Sequence, residues 1–339
     1  MSNKPVMALL FGEATGIGSE LVVKALQEKE VRELATWVLI GDERVCRQGE
    51  DITGLKLSYQ KVESIEEVER NQDTIWMIDL KNLDPSQIQL GSLSLESGRV
   101  TGETLEYAMG LAKANKIDGI VYAPLNKEAL HRGGYHFQDE IHFFADLLDC
   151  KEGFGEINHM DKLWVTRVTS HIPLKDVSAL VTKQRVAAII QFAHDTLSSA
   201  GYENPKIVVA ALNPHAGDGG LMGMEEIEEI GPAVKEAQQQ GLHVSGPFPA
   251  DTIFRRLDKE AFDCLVGMYH DQAQTGMKLL GFTRGVTISG GLPVVLTTPA
   301  HGTAFDIAGQ DKADPGAQIA AMKTAIRLVN GKKRVTAHS

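Results

Sequence analysis

Six short apolar runs, at residues 6–11, 36–40, 119–122, 163–168, 207–212 and 264–268, are separated by segments whose apolar residues recur at helical spacing. Such alternation defines an α/β protein, because two parallel strands need a crossover long enough to hold a helix. Helices are expected at 19–27, 102–115, 182–200, 224–240 and 316–330. Within 182–200, Val186, Ile189, Ile190, Phe192 and Ala193 supply an apolar face to lay on a sheet. With 339 residues the chain is long enough to divide into two lobes. No repeat of fixed period and no low-complexity linker marks where one lobe ends.

Charge and cysteine usage narrow the function class. The formal net charge of -11 is spread along the chain without a basic cluster, which gives no support for binding nucleic acid or an anionic membrane surface. A small-molecule partner is the expectation. Cys46, Cys150 and Cys264 lie far apart and form no CxxC pair, so neither a disulfide framework nor a structural zinc knuckle is indicated, and a reducing, cytoplasmic setting is expected. No apolar run approaches the roughly 18 residues of a membrane span, and the amino-terminal run meets glycine too soon for an export signal.

Three strand-like runs end in histidine: LWVTRVTSH at His171, KIVVAALNPH at His215 and DCLVGMYH at His270. In parallel α/β folds the ligand crevice lies outside the carboxyl ends of the strands, so residues in this position converge if their strands are neighbours or meet across subunits. Taken singly, each histidine reads more simply as a core or loop residue. Three in one context point to a shared cation, since three imidazoles suit zinc and its neighbours and leave a coordination position open for substrate oxygen. Asp251, Asp271 and Asp218 stand near these histidines in sequence. An aspartate there can orient a ligating imidazole or act as a base, and Asp251 and Asp271 are favoured for those catalytic roles, with helix or turn capping as the simpler alternative.

Two glycine-rich stretches remain. GEATGIGSE, residues 12–20, follows the first strand, but its spacing is not that of the dinucleotide fingerprint and no Lys-Ser/Thr follows for a phosphate loop, so it is read as shaping a substrate-side turn. HGTAFDIAGQDKADPG, residues 301–316, has small residues that would let backbone approach a cofactor. There Asp306 could accept from ribose hydroxyls and would repel a 2′-phosphate, favouring NAD over NADP. His301, Gly302, Thr303 and Asp306, with Gly291, are the cofactor-binding candidates.

These pieces together resemble the 4-hydroxythreonine-4-phosphate dehydrogenase (PdxA-like) family over essentially the whole chain. GEATGIGSE is similar to that family's GEPAGIGPE opening, and VYAPLNK, VTSHIPL, ALNPHAGDGG, PADTIF, MYHDQ, LGFTRGV and HGTAFDIAG occur in the family's order. The last is also similar to a segment of isopropylmalate and isocitrate dehydrogenases. The resemblance implies an α/β, two-lobed, isocitrate/isopropylmalate dehydrogenase-like architecture with a central cleft, without a Rossmann fingerprint. Residues 1–125 and 290–339 would form a discontinuous cofactor-side lobe, and 126–289 the lobe for substrate, metal and dimer interface. It further implies a homodimer with the active site at the subunit boundary, His171 and His215 coming from one subunit and His270 from the other. Zinc, or Mg, Mn, Co or Ni, would bind the substrate hydroxyl, NAD would take a hydride, and the resulting β-keto acid could lose its carboxylate. Lys278 matches a lysine that contacts substrate anion.

The departures from the family set the expected substrate. The motif GHTE, which helps hold phosphate, is replaced by residues 139–142, placing Glu140 and Ile141 at the contact positions. Downstream, N-I-T-L-G-L-P-x-x-R-T-S becomes TISGGLPVVLTT, with Thr287 for asparagine and Leu296 for arginine. Leucine cannot replace the arginine fork. The expected function is therefore metal-dependent, NAD-linked oxidation of a β-hydroxy acid lacking phosphate, such as a terephthalate cis-dihydrodiol, with Glu140, Ile141, Lys278, Thr287 and Leu296 lining the substrate. The alternatives are oxidation of 4-phosphooxy-threonine in pyridoxal phosphate synthesis, and a non-catalytic NAD- or metal-binding protein of the same fold.

Overall fold

The computed structural model describes residues 4–70, 73–258, 260–281 and 284–338. The chain divides into two compact units, Met1–Phe154 with Thr283–His338, and Gly155–Phe282. Among the described residues no helix is long and apolar enough to cross a membrane.

The first unit opens with β1 (Val6–Leu10), β2 (Thr36–Gly41), β3 (Tyr59–Val62), β4 (Ile75–Asp79) and β5 (Gly119–Tyr122). The second holds β6 (Gly155–Met160), β7 (Leu163–Arg167), β8 (Ile207–Ala210), β9 (Val244–Phe248) and β10 (Cys264–Gly267), and the chain returns to the first unit with β11 (Val286–Gly290) and β12 (Val295–Pro299). Strand order is β3-β4-β2-β1-β5-β12-β11 in the first unit and β6-β7-β10-β8-β9 in the second. All neighbours are parallel except β11 with β12 and β6 with β7. Every residue of β1, β2 and β5 is buried, as expected for central parallel strands covered on both faces.

All six apolar runs become strands or their ends. The helices differ more. The segment expected at 102–115 starts earlier, at Leu95–Lys113, because the Ser94 side chain accepts from the Ser97 N–H and caps it. The segment expected at 224–240 is a wide turn, Glu226–Ile230, followed by the helix Gly231–Gln239.

The unit boundaries depart from the expected 1–125, 126–289 and 290–339. Residues 126–154 pack with the first unit because Phe143, Phe144 and Ala145 of the helix Glu140–Leu147 join its core, alongside Leu105, Ala108 and Met109 of Leu95–Lys113. Strand β11 stays there because Val286 pairs with Pro299 of β12.

Two glycines set how closely the helix Leu95–Lys113 meets its neighbours. A Cβ at Gly98 would lie 1.9 Å from the Ala129 carbonyl oxygen, and one at Gly102 would lie 1.9 Å from Tyr135 Cε2. A substitution at Gly98 meets backbone, which cannot swing away. Gly98→Ala is therefore expected to lower the unfolding free energy by about 2 kcal/mol, although alanine gains about 1 kcal/mol in helix propensity. Urea denaturation measures the difference, and an unchanged or raised midpoint would contradict the packing.

Candidate active site

The site candidates of the second unit grow out of one strand pair. Arg167 of β7 is in register with Gly267 of β10, and the ladder runs on past both strand ends. The Val168 N–H donates to the Gly267 carbonyl at 2.9 Å and the Thr169 N–H to that of Met268 at 3.0 Å, while the Thr169 hydroxyl donates to the same Met268 oxygen at 2.8 Å. His171 and His270 each follow two residues after these last rungs. Their ring centroids lie 5.6 Å apart with the planes inclined at 41°. The resemblance divides these two between subunits, yet within one chain they already adjoin.

Asp271 Oδ1 lies 2.7 Å from His270 Nδ1. A carboxylate can only accept, so Nδ1 carries the proton in this pair and Nε2 is the nitrogen with a lone pair to offer a cation. Two imidazoles on one tetrahedral ion, with bonds of about 2.0–2.1 Å, have centroids about 5 Å apart. The observed spacing and donor set thus fit a divalent ion. Among the described residues, however, no three histidine, cysteine or acidic side chains of the single chain form a group that could hold one.

His215 sits on unusual backbone. His215, Ala216, Gly217, Asp218 and Gly219 all have positive φ, from 43° to 78°, a left-handed turn inside Pro214–Gly220. L-residues resist this conformation by roughly 1–2 kcal/mol each, so something must hold it. The buried Glu226 carboxylate does so. Its Oε1 accepts the Leu212 and Asn213 N–H groups at 2.8 and 2.7 Å, and its Oε2 accepts from Asn213 Nδ2 at 2.9 Å. Gly217 passes so close that a Cβ there would lie 2.6 Å from Glu226 Oε2. The short helix Ala250–Ile253, which carries exposed Asp251, packs against this turn. Lys278 is exposed in the last turn of the helix His270–Leu280, on the same stripe as His270 and Gln274.

In the first unit the two glycine-rich stretches meet. The Ile17 N–H donates to the Thr303 carbonyl at 3.1 Å, the Gly309 N–H donates to Glu20 Oε1 at 2.7 Å, and a Cβ on Gly16 would come within 2.9 Å of Thr303. GEATGIGSE does form a turn over residues 14–17, closed by the Gly16 N–H donating to the Glu13 carbonyl at 3.0 Å, and it also braces the 301–309 loop. Thr303 is buried by this contact, while Gly302 and Asp306 remain exposed and His301 half-buried. Gly291, at φ +76°, is required by the chain itself, since a Cβ there would lie 1.9 Å from the Gly153 carbonyl oxygen.

The substrate candidates of the first unit need correction. Leu296 is 0% exposed, in register with Ile120 and part of the main core, so it walls no pocket. Ile141 is half-buried against the same core, and Thr287 lies half-buried on β11 opposite Thr298. Glu140 is engaged: the Tyr122 hydroxyl donates to its Oε2 at 3.0 Å and Lys127 Nζ lies 3.8 Å from Oε1. Its charge is shared with a cation rather than set alone against phosphate.

Sequence reasoning missed Glu226, Glu13 and Glu20. Glu226 lies in an acidic run that reads as a solvated helix face, and only its distance of eleven positions from His215 hints at more. Glu13 and Glu20 are 0% exposed, and burial pushes both carboxyls above the ordinary range, with Ser97 and Thr15 partly offsetting it for Glu13 and the Gly309 N–H for Glu20.

An α/β protein of two units, with His171, His270 and Asp271 just beyond the ends of two parallel strands, shares its fold with a β-decarboxylating dehydrogenase from Thermococcus kodakarensis, at TM-score 0.51 and 13% identity over 97% of this chain and 85% of that one. The chain belongs to the PdxA family: the model described as pyridoxal phosphate biosynthetic protein PdxA matches residues 33–325. It is 40% identical over 328 residues to a D-threonate 4-phosphate dehydrogenase from Cupriavidus necator, covering 96% of this chain and 97% of the relative. A solved 4-hydroxythreonine-4-phosphate dehydrogenase from Burkholderia phymatum matches at TM-score 0.80 and 38% identity, covering 96% and 98% of the two chains. A terephthalate 1,2-cis-dihydrodiol dehydrogenase from Burkholderia xenovorans matches less well, at TM-score 0.65 and 27% identity over 97% and 98%.

Two outcomes test this reading of the site. Glu226→Ala leaves two half-buried N–H donors without their charged acceptor and is expected to reduce stability by about 2 kcal/mol in chemical denaturation, with Glu226→Gln losing less; a loss below about 0.5 kcal/mol would show that the turn holds itself. Glu13, with its folded-state pKa raised above the ordinary 4.5, contributes stability below that value that is lost as pH rises through the folded pKa. Glu13→Gln is accordingly expected to be relatively more stable at pH 8 than at pH 5, compared with the parent. Equal differences at both pH values would mean that Glu13 ionises without penalty.

Proposed function

We propose that the chain is a divalent-metal-dependent, NAD-linked dehydrogenase that oxidises the secondary alcohol of a phosphorylated four-carbon hydroxy acid. The observation that carries this reading is the approach of His171 and His270, with Asp271 orienting one imidazole. The phosphorylated class is supported by the substrates named for the relatives, and the burial of Leu296 leaves the unphosphorylated reading without that apolar wall. It replaces the dihydrodiol carboxylate as the favoured substrate.

His171 and His270, joined by His215, would hold the ion, and the 301–306 stretch would face NAD. When bound, the ion would draw charge from the substrate oxygens and NAD would accept the hydride. The chain's own residues would do the rest: Asp251 accepts the hydroxyl proton, Asp271 keeps the His270 ring in one tautomer, and Lys278 pairs with a substrate anion. Oxidation one carbon beyond the α-carbon leaves a β-keto acid, whose carboxylate is then poised to depart as carbon dioxide. A homodimer is supported by apolar side chains left exposed in the second unit, notably Leu221, Met222, Ile227, Leu279 and Leu280, which a second copy would cover.

Turnover followed by NADH absorbance with added zinc tests the substrate class. Efficiency on D-threonate 4-phosphate or 4-hydroxythreonine-4-phosphate is expected to exceed that on the unphosphorylated acids by about 100-fold or more, the scale of a lost charged recognition contact. His171→Ala and His270→Ala should each drop turnover by about 100-fold or more. Efficient oxidation of a dihydrodiol carboxylate with no turnover of either phosphorylated acid would return the function to the unphosphorylated reading, and full activity in excess chelator would remove the metal.

A further inference from the structure

Arg167 ends β7 with its side chain 2% exposed. A buried guanidinium is expensive unless its donors are engaged, and an apolar replacement of similar volume is often as stable or more so, so a retained buried charge calls for a reason. All three arms of this one are used. Nη2 donates to Glu156 Oε1 at 2.9 Å, Nη1 donates to Asn158 Oδ1 at 3.0 Å, and Nε donates to the Ser170 hydroxyl oxygen at 3.0 Å. Glu156 and Asn158 are two positions apart on β6 and so share a face of the strand.

The arrangement reaches both histidines. Ser170 immediately precedes His171. Asn158 Oδ1, the oxygen that accepts from Arg167, also accepts from Gln274 Nε2, and Gln274 lies one turn beyond His270 on the same helix. Asn158 and Gln274 are themselves buried. One carbonyl oxygen is thus the shared anchor of the loop that carries His171 and the helix that carries His270, and neither bond is needed to pair the strands.

We infer that Arg167, Asn158 and Gln274 form a positioning bridge that sets the spacing between the His171 and His270 rings and thereby the affinity for a divalent cation. The inference rests on the metal reading of those histidines. The bridge touches neither ion nor substrate, so its members act through the rings they hold. The main-chain ladder through Thr169 and Met268 brings the two segments together, and the bridge fixes the last degree of rotation and slide of the helix against the loop.

Cobalt(II) titration of the metal-stripped protein, followed by absorption of the bound ion, tests it. Gln274→Met and Asn158→Leu are each expected to weaken cobalt binding by about 10-fold or more, the usual scale for residues that orient metal ligands. Arg167→Lys should keep part of the affinity that Arg167→Met loses. Because the two ends act through one oxygen, Arg167→Met with Gln274→Met should weaken binding by much less than the product of the single effects. In Gln274→Met, saturating metal should restore kcat while the metal concentration needed rises, a split that simple destabilisation does not produce. Folding is checked by circular dichroism, and if Arg167→Met does not fold, Gln274→Met and Ser170→Ala decide. Affinity within about twofold of the parent in folded Gln274→Met and Asn158→Leu overturns the bridge. His270→Ala separates the two failures: if it leaves cobalt binding intact the metal reading falls and the bridge with it, whereas if it abolishes binding while the bridge variants do not, only the bridge falls.

Discussion

The register of β7 against β10 is the constraint on which the second unit's chemistry depends. Arg167 opposite Gly267 is the last strand pair, and two further rungs, Val168 to Gly267 and Thr169 to Met268, carry the pairing into the loops. Each segment then has a single residue, Ser170 or Tyr269, before its histidine, too few to wander. A shift of one residue in that ladder would turn every side chain to the opposite face and carry His171 away from His270. The 5.6 Å between the rings is therefore a property of the sheet as much as of the histidines.

Around that ladder, buried polar groups do the fine adjustment. Glu226 holds the left-handed turn that bears His215, and Arg167 ties the segment before His171 to β6. In the first unit Glu20 does comparable work, accepting the Gly309 N–H so that the 301–309 loop is braced from beneath. In each case a charged or potentially charged group sits in the interior, where it is unfavourable unless satisfied, beside backbone that would not keep its shape unaided. Stability and site geometry are coupled through these residues.

The strands were legible because buried parallel strands are continuous apolar runs, and such runs carry their own boundaries. The histidines just beyond the strand ends were legible for the same reason, since each apolar run leads within a few residues to one. Helix starts were less so: Leu95–Lys113 begins seven residues before the expected point because Ser94 caps it, a local bond that spacing alone does not reveal. The substrate argument failed at Leu296, where motif correspondence placed a side chain in a pocket and β12 places it in the core. Glu226 was hidden because an acidic run reads as solvated whichever of its members turns inward.

What the sequence determined by itself is the α/β class, the order of the strands along the chain, the histidine at the end of three of them, and the family motifs in their order, all of which are local patterns. Only the tertiary structure decided that His171 and His270 face one another within one chain, that GEATGIGSE supports the 301–309 loop, and that Leu296 is sealed away. The physical reason is that proximity and burial depend on strand register and on which helix covers which face. Those are set by contacts between residues far apart in the chain, 99 positions for Thr169 with Met268, and no short window of sequence contains both partners.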